Sequence, residues 1–176
     1  MILSGSAIAE AVRLGAIEID PYDARQLNPA SYDLTLGDRA LTYEFGHVHD
    51  VQKEPSTTAH RFDPVHGFVL RPGVGYLMHT RERIRTDRYV PVLDGKSSIG
   101  RLFVKVHETA GFGDPGFDGQ YTLEVTTLYA MRLFAGMRIA QMRFHVVEGE
   151  MAKYQGNYVG DAARGPVASR AWRQFR

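Results

Sequence analysis

Residues 94–101 combine two cations with two hydroxyl groups in one short segment. Lys96 and Arg101 flank Ser97 and Ser98, and a preceding glycine lets backbone N–H groups come close to a ligand. Phosphate oxygens bind this mixture, because Lys supplies a point charge, Arg a planar fork of donors and Ser a short neutral donor. The spacing is not that of a P-loop. The alternative interpretation is a turn with a capping serine and solvated charges.

A glycine-rich loop at residues 107–119 follows and leads into an alternating segment. In such a loop, bare backbone amides and carbonyls can meet the edge of a flat ligand while Phe112 or Phe117 covers its face. In residues 120–127 polar and apolar residues alternate, so Glu124 shares one strand face with two threonines. Glu124 is therefore a candidate general base. The structural alternatives are a hairpin anchored by its phenylalanines and an exposed strand glutamate.

The chain that positions these groups is predicted to be mainly β. Ser4 and the apolar residues after it, spaced by three and four, predict one helix that ends near Gly15. Beyond residue 28, segments rich in β-branched, aromatic and Leu residues are separated by Gly, Pro, Asp and Asn, which is typical of a sandwich or barrel with jelly-roll-like connections. The predicted strands cover residues 32–36, 40–45, 68–70, 75–80, 102–107, 120–128, 130–134 and 138–147.

Two segments are predicted to lie outside these strands. Residues 48–66 are polar and contain prolines, which predicts a long surface loop. His47 lies just before this loop and His49 within it, and the two are either half of a metal site or solvated histidines. Residues 149–176 carry four glycines and four arginines, which predicts a basic tail that is either ordered by an anion or frayed. We therefore predict a β domain at residues 1–148 and a tail belonging to the same domain.

Composition limits the classes of function. The 176 residues, 44% of them hydrophobic, fit one globular domain. A balance of 21 Lys and Arg against 20 Asp and Glu argues against broad nucleic-acid binding, which needs a basic surplus. No apolar run approaches the roughly 18 to 20 residues of a membrane span, and the N-terminus lacks a signal-peptide pattern. We expect a cytoplasmic protein without a membrane or nucleic-acid partner.

Seven motifs follow one another along nearly the whole chain. They are NPASYDLTLG at 28–37, GKSSIGRL at 95–102, TAGFGDPGFDG at 109–119, TLE at 122–124, GMRIAQ at 136–141, KYQG at 153–156 and GPVASR at 165–170. In this order they resemble the dCTP deaminase branch of the dUTPase-like superfamily. The resemblance implies a distorted jelly-roll or β-barrel of the dUTPase-like type with one or two short helices. It also implies a homotrimer with active sites between subunits.

The resemblance implies hydrolytic deamination of dCTP at cytosine C4. Glu124 would be the general base, and Arg101 with Ser97 would position the chemistry beside it. Lys96 and Ser98 would hold the triphosphate. Mg²⁺ would be carried by the triphosphate, with no side-chain metal ligand. An anionic tetrahedral centre forms at C4, so a base and a nearby cation supply what the transition state needs.

Further substrate contacts follow from the same resemblance. The backbone near Ala110 would contact the pyrimidine and its water, and Asp114 would receive the deoxyribose 3′-hydroxyl. Phe117 would stack near the sugar and help exclude ribonucleotides. Lys153 and Tyr154 would close over the phosphates. These five residues, with those that hold the phosphates, form the expected substrate site.

The sequence also bears on the reaction product, on alternative functions and on further ligands. Residues 109–112, Thr-Ala-Gly-Phe, resemble members that also cleave the α–β phosphate bond, which favours dUMP, ammonia and diphosphate as products and would supply dUMP for thymidylate synthesis. The alternatives are a deaminase that releases dUTP, a dUTP diphosphatase, and a silent nucleotide-binding trimer. Besides dCTP, we consider dUTP as a ligand and dTTP as an inhibitor.

This chain departs from the family pattern at several positions. Gly113 replaces an isoleucine, and Phe103 replaces a glycine that follows Arg-Leu. In the tail, either Gln155 or Asn157 takes the role of the glutamine that reads the base, so tolerance of a modified cytosine stays open. The chain also has no cysteine. Zinc-dependent nucleotide deaminases bind their metal through Pro-Cys-x-x-Cys. If this protein deaminates cytosine, as the resemblance implies, it must activate water with a carboxylate, which is the role implied for Glu124.

Overall fold

The computed structural model describes residues 1–158 and 165–175, and Gly160, Arg164 and Arg176 of the predicted tail lie outside these residues. The helices are α1 (Gly5–Arg13) and α2 (Ser97–Gly100), with 3₁₀ turns at Ala24–Gln26 and Ala171–Arg173. The strands are β1 (Glu18–Asp20), β2 (Tyr32–Thr35), β3 (Arg39–Tyr43), β4 (Thr57–Arg61), β5 (Phe68–Leu70), β6 (Tyr76–Arg85), β7 (Tyr89–Gly95), β8 (Val104–Lys105), β9 (Asp118–Thr127), β10 (Met131–Leu133) and β11 (Arg138–Val146). The mainly β prediction is confirmed.

The strands pair into three antiparallel sheets. The largest has the order β4-β3-β6-β9-β8, with β1 pairing the far end of β6. A second sheet has the order β2-β11-β7, and β5 pairs β10 in a third. Strands distant in sequence are neighbours in both larger sheets, so the chain crosses between layers as it does in sandwiches and barrels.

One hydrophobic core joins the sheets. Tyr32 and Phe144 enter it from the three-stranded sheet, Met78 and Leu123 from the largest sheet, and Ile8 from α1; all five are fully buried. Burial of such side chains stabilises the fold by roughly 1.5 to 3 kcal/mol each relative to exposure. The core fixes β9 in place and, with it, the side chains on the opposite face of that strand.

The helix predicted after Ser4 is confirmed. The Ser4 hydroxyl accepts a hydrogen bond from the Ala7 amide at 3.3 Å, which caps the first turn. Ile8 and Ala11 are buried on one face. Gly15 follows the helix with a φ of +70°, a conformation that ends helices and favours glycine.

Three strands were not predicted. The loop predicted at residues 48–66 contains β4, which is a polar edge strand paired only with β3 among the described strands, and it therefore lacks an alternating apolar face. β7 was not predicted, because Pro91 and Asp94 are typical of turns. It nevertheless pairs with β11 along its whole length. β1 is a further strand that the sequence pattern did not indicate.

The strand predicted at residues 102–107 is shorter than expected. Only Val104–Lys105 pairs with β9, and Phe103 before it has a φ of +58°. This left-handed conformation costs a non-glycine residue roughly 1 to 2 kcal/mol. The ring of Phe103 lies edge-on to Tyr129, with centroids 5.9 Å apart. Family members with glycine at this position would adopt the same turn without strain.

His47 and His49 lie together in the loop after β3. Their ring centroids are 4.6 Å apart, and Nε2 of His49 lies 2.8 Å from the Glu44 carbonyl oxygen. Within residues 1–158 and 165–175, no group of three or more His, Asp or Glu side chains is placed to hold a metal ion. In the same residues, no helix is long and apolar enough to cross a membrane.

Candidate active site

A cavity of about 430 Å³ lies over the face of β9 that points away from the core. Leu77 on β6 and Thr122 and Glu124 on β9 form its floor, because Leu77 pairs directly with Glu124 in the sheet. The glycine-rich loop forms one wall, and the tail forms another. The lining residues are Tyr43, Leu77, Ala110, Phe112, Gly113, Asp114, Phe117, Gln120, Tyr121, Thr122, Glu124, Tyr154, Tyr158, Val167 and Ser169.

Glu124 is fixed at the floor of this cavity. Its neighbours Leu123 and Val125 are fully buried on the other face of β9, so the backbone beneath the carboxylate cannot shift easily. The Glu108 amide donates a hydrogen bond to Oε2 of Glu124 at 3.0 Å. The other carboxylate oxygen accepts no hydrogen bond from the described residues. One oxygen is thus held while the other is available to a ligand or water.

The glycine-rich loop is bonded along β7 by its main chain. The Leu93 amide donates to the Gly111 carbonyl oxygen at 2.7 Å, and the Gly113 amide donates to the Pro91 carbonyl oxygen at 2.8 Å. A Cβ atom on Gly111 would lie 2.5 Å from the Leu93 carbonyl oxygen. Glycine is required there because the two backbones approach too closely for a side chain. β7 therefore sets the position of the cavity wall.

Aromatic and acidic side chains complete this wall. The Phe117 ring lies edge-on to both Tyr121 and Tyr154, at centroid distances of 5.0 and 6.1 Å. Burial, together with the nearby charge of Asp114, raises the pKa of the Tyr121 hydroxyl, which stays protonated at neutral pH. A Cβ atom on Gly113 would lie 2.9 Å from the Tyr121 hydroxyl oxygen. Tyr121 thus occupies the space next to Gly113, the glycine that replaces an isoleucine.

The tail covers the cavity of its own chain. The Tyr154 amide donates to the Pro115 carbonyl oxygen at 2.7 Å, which ties the start of the tail to the glycine-rich loop. The Val167 amide donates to Oγ1 of Thr122 at 3.1 Å, on the cavity floor. Further along, the Ser169 amide donates to the Tyr43 hydroxyl at 3.0 Å.

A second cavity of about 420 Å³ lies beside α2. Lys96, directly before α2, and Ser97 line it with Lys105 and His107. Nζ of Lys96 lies 2.5 Å from Oδ1 of Asp33, a side chain that is only 3% exposed. The second cavity is therefore lined by charges of both signs, Lys96, Lys105 and Asp94, and its Lys96 is held against a buried carboxylate.

Asp33 is bound from several directions. Nδ2 of Asn28 donates to its Oδ1 at 2.7 Å, and the Arg138 guanidinium lies 3.6 Å from its Oδ2. A buried carboxylate needs such partners, because an unpaired buried charge is strongly destabilising. The NPASYD motif thus supplies a side chain that anchors the lysine of the GKSS motif.

α2 presents the remaining predicted phosphate-binding residues. Ile99 is buried and anchors this short helix, while Ser98 and Arg101 are exposed. Neither of these two lines the first or the second cavity. They lie on the surface next to the second cavity.

The predicted site residues therefore fall into two groups in one chain. Glu124, Ala110, Asp114, Phe117 and Tyr154 line the first cavity. Two others, Lys96 and Ser97, line the second, and the two linings share no residue. Within one chain, the structure does not bring Lys96 or Ser97 to the candidate base, whereas Tyr154 lines the same cavity as Glu124.

Three predicted tail residues lie outside the first cavity. Nζ of Lys153 donates to Oδ2 of Asp87 at 2.7 Å, and Gln155 is exposed. Nδ2 of Asn157 donates to the Arg170 carbonyl oxygen at 3.3 Å, and the Arg170 guanidinium donates back to the Asn157 carbonyl oxygen at 2.9 Å. Asn157 thus joins two parts of the tail. The assignment of the base-reading role stays a prediction.

Several lining residues were not predicted. Gln120 was detectable in principle, because it alternates with Thr122 and Glu124 along one strand. Leu77 and Tyr43 come from strands that pair with β9 and β6 only in the folded protein. No local pattern indicates such pairings, so these two required the structure.

The architecture is shared with solved proteins. The crystal structure of 2′-deoxycytidine 5′-triphosphate deaminase from Agrobacterium tumefaciens superimposes with a TM-score of 0.66 at 23% identity, over 83% of this chain and 48% of that chain. This chain thus spans about half the length of the Agrobacterium chain. The likeness shows that this chain shares the fold of the Agrobacterium protein.

Sequence comparison defines the family. A family model described as dCTP deaminase-like matches residues 2–147. A protein of Clostridium acetobutylicum named "dCTP deaminase, dUMP-forming" is 43% identical over 159 residues, which is 90% of each chain. A protein of Leptospira biflexa with the same name is 44% identical over 160 residues, again 90% of each chain. The chain belongs to the dCTP deaminase-like family.

Proposed function

We propose that this protein hydrolyses dCTP to dUMP, ammonia and diphosphate. The observation that carries the proposal is the Glu124 carboxylate at the floor of the first cavity, with one oxygen bonded to a backbone amide and the other available. The family membership and the names of the relatives from Clostridium acetobutylicum and Leptospira biflexa support the reaction. An available carboxylate oxygen in a cavity is what a general base requires.

In the proposed deamination, Glu124 takes a proton from water as the oxygen of that water bonds to C4 of cytosine. The same carboxyl delivers this proton to N3, giving a tetrahedral centre at C4. A second proton passes from the added hydroxyl through Glu124 to the amino group, and the C4–N bond breaks to release ammonia. A fixed carboxylate can serve both transfers because its distance from C4 does not change between them.

The substrate is proposed to lie with its base over Glu124 and its sugar towards the glycine-rich loop. The Ala110 backbone then contacts the pyrimidine, Asp114 accepts a hydrogen bond from the 3′-hydroxyl, and Phe117 packs on the sugar. Tyr154 closes the cavity from the tail, since its amide is bonded to the loop. These residues line one cavity, which supports their common role.

The triphosphate is proposed to be bound by a neighbouring subunit of a homotrimer. Lys96 and Ser97 line the second cavity, separate from Glu124, and Ser98 and Arg101 are exposed beside it. A complete site therefore needs these groups from another copy. Their cations and hydroxyls have the chemistry that binds phosphate oxygens.

Mg²⁺ fits this arrangement as a companion of the triphosphate. In the described residues no three His, Asp or Glu side chains form a metal cluster, and Mg²⁺ commonly takes its ligands from substrate phosphates and water. When bound, the ion neutralises phosphate charge. Zinc does not fit, because the chain has no cysteine to complete the site of a zinc deaminase.

The reaction is tested by incubating the protein with dCTP and Mg²⁺ while ammonia is measured and nucleotides are separated by chromatography. We expect equal amounts of ammonia, dUMP and diphosphate. Release of ammonia with dUTP would overturn the cleavage step but keep deamination. Diphosphate from dUTP without ammonia from dCTP would indicate a diphosphatase. Calorimetric binding of dCTP without turnover would indicate a silent nucleotide-binding protein.

The shared site is tested by subunit mixing. Glu124→Gln and Arg101→Ala chains are each expected to be inactive, because each removes one half of the proposed site. When the two are co-expressed, some interfaces combine an intact Glu124 with an intact Arg101, and we expect a measurable fraction of activity to return. Activity that stays at the level of the single variants would contradict a site built from two subunits.

A further inference from the structure

We infer that Glu108 is a positioning residue, whose locked side chain holds its own backbone amide against Glu124. The inference rests on the proposed role of Glu124 as the general base. Glu108 precedes the glycine-rich motif and was not singled out by the sequence. It touches the candidate base through its main chain only, so it acts on the chemistry through another residue.

Both carboxylate oxygens and the backbone amide of Glu108 form hydrogen bonds. Oγ1 of Thr126 donates to Oε1 of Glu108 at 2.6 Å, and Nζ of Lys105 donates to Oε2 at 3.2 Å. The Glu108 amide then donates to Oε2 of Glu124 at 3.0 Å. Thr126 and Glu124 are two residues apart and lie on the same face of β9. One residue therefore binds β9 twice, by its side chain and by its amide.

This double contact occurs where the backbone ladder ends. β8 pairs with β9 only at Val104–Thr127 and Lys105–Thr126. Past Lys105 the chain leaves the sheet, so no ladder hydrogen bonds fix the next residues to β9. The bond between the Glu108 side chain and Thr126 replaces the missing ladder. Without it the Glu108 amide would be free to move away from Glu124.

Charge argues for positioning rather than for a second base. The Thr126 hydroxyl and the Lys105 ammonium lower the pKa of Glu108. Its carboxyl is ionised at neutral pH with one hydrogen bond on each oxygen. Such a group is a poor proton acceptor. Lys105 also offsets the negative charge that Glu108 brings near Glu124.

The inference is tested with Glu108→Ala and Glu108→Gln. The alanine variant loses the bond to Thr126, so we expect kcat to fall roughly tenfold, since a displaced catalytic group loses reactivity steeply. We expect KM for dCTP to change less than twofold.

The glutamine variant separates position from charge. It keeps an oxygen that can accept from Thr126 but loses the charge that attracts Lys105, and we expect kcat within threefold of the original. Thr126→Val should repeat the loss seen with Glu108→Ala, while Thr126→Ser should retain activity. Glu150→Ala, at an exposed position in the tail, is the control and should change neither kcat nor KM. Circular dichroism checks that every variant is folded.

The outcomes distinguish this inference from the proposed function. If Glu108→Ala keeps the original kcat while Glu124→Gln is inactive, the positioning inference is overturned and the function stands. If Glu124→Gln itself releases ammonia at the original rate, the proposed base fails. Equal losses in the alanine and glutamine variants would show that the charge of Glu108 matters, which also overturns positioning.

Discussion

The first and the second cavity are built in opposite ways. Around the first, hydrogen bonds between main chains fix the wall along β7, and the fully buried Leu123 and Val125 hold β9 beneath Glu124 on the floor. Around the second, side-chain charge sets the geometry, since Lys96 is held by the buried carboxylate of Asp33. The first cavity is covered by its own tail, whereas the second opens beside exposed residues of α2.

This difference predicts two responses to mutation. Main-chain bonds hold a reacting group at a fixed distance, so damage to the first cavity should appear mainly in kcat. Charged side chains hold phosphate, so damage to the second should appear mainly in KM. A cavity built on a buried ion pair should also lose stability when one partner is removed.

The largest expected effect is that of Glu124→Gln. The amide keeps the shape of the carboxylate but cannot accept a proton, so we expect ammonia release to fall by roughly a hundredfold to ten-thousandfold. Binding of dCTP, measured by calorimetry, should change little. If Glu124→Gln lost dCTP binding as much as turnover, Glu124 would be a binding residue. The first cavity would then not differ from the second in the proposed way.

Gly111→Ala should come next. Its Cβ would lie 2.5 Å from the Leu93 carbonyl oxygen, so the loop must move away from β7. We expect kcat to fall more than tenfold and stability by roughly 1 to 3 kcal/mol, which is typical of overpacking. The control is Gly75→Ala, where a Cβ meets no atom within 4 Å. Equal activity in the two variants would show that the wall is not set by β7.

Asp33→Asn tests the second cavity. It leaves Lys96 and Arg138 without the carboxylate that they share, and we expect a loss of roughly 1 to 3 kcal/mol in unfolding free energy. KM for dCTP should rise more than kcat falls, because Lys96 loses its position. Asp50→Asn, a matched change at a surface pair with Lys53, is the control for denaturant unfolding. A change confined to kcat would contradict the comparison.

The smallest expected effect is on stability, from the ion pair between Asp87 and Lys153 of the tail. Hydrogen bonding to Lys153, with help from Arg85, lowers the pKa of Asp87. A depressed carboxyl pKa stabilises the fold above the unfolded value, about 4, and that contribution is lost as pH falls. At this surface it amounts to less than about 1 kcal/mol. The Tm difference between Asp87→Asn and the original chain should be small at pH 7 and vanish towards pH 3.

Local features of the sequence predicted much of the fold and part of the site. The capping Ser4 and the spacing after it gave the helix, and the alternation around Glu124 placed the candidate base on an exposed strand face. β7 was not predicted, because proline is typical of turns. In the structure, the Pro91 carbonyl oxygen accepts a hydrogen bond from the glycine-rich loop. The separation of Lys96 from Glu124 was also unpredictable, since it depends on which strands pair.

The bonds between Gly111, Gly113 and β7 have an evolutionary consequence. They involve only backbone atoms, so they persist whichever side chains line the cavity, provided that both positions have room for the close approach. Phe112 lies between the two glycines, is 68% exposed, and lines the cavity without its side chain sharing in these bonds. A change of side chain at Phe112 can therefore alter specificity while the cavity wall along β7 keeps its position.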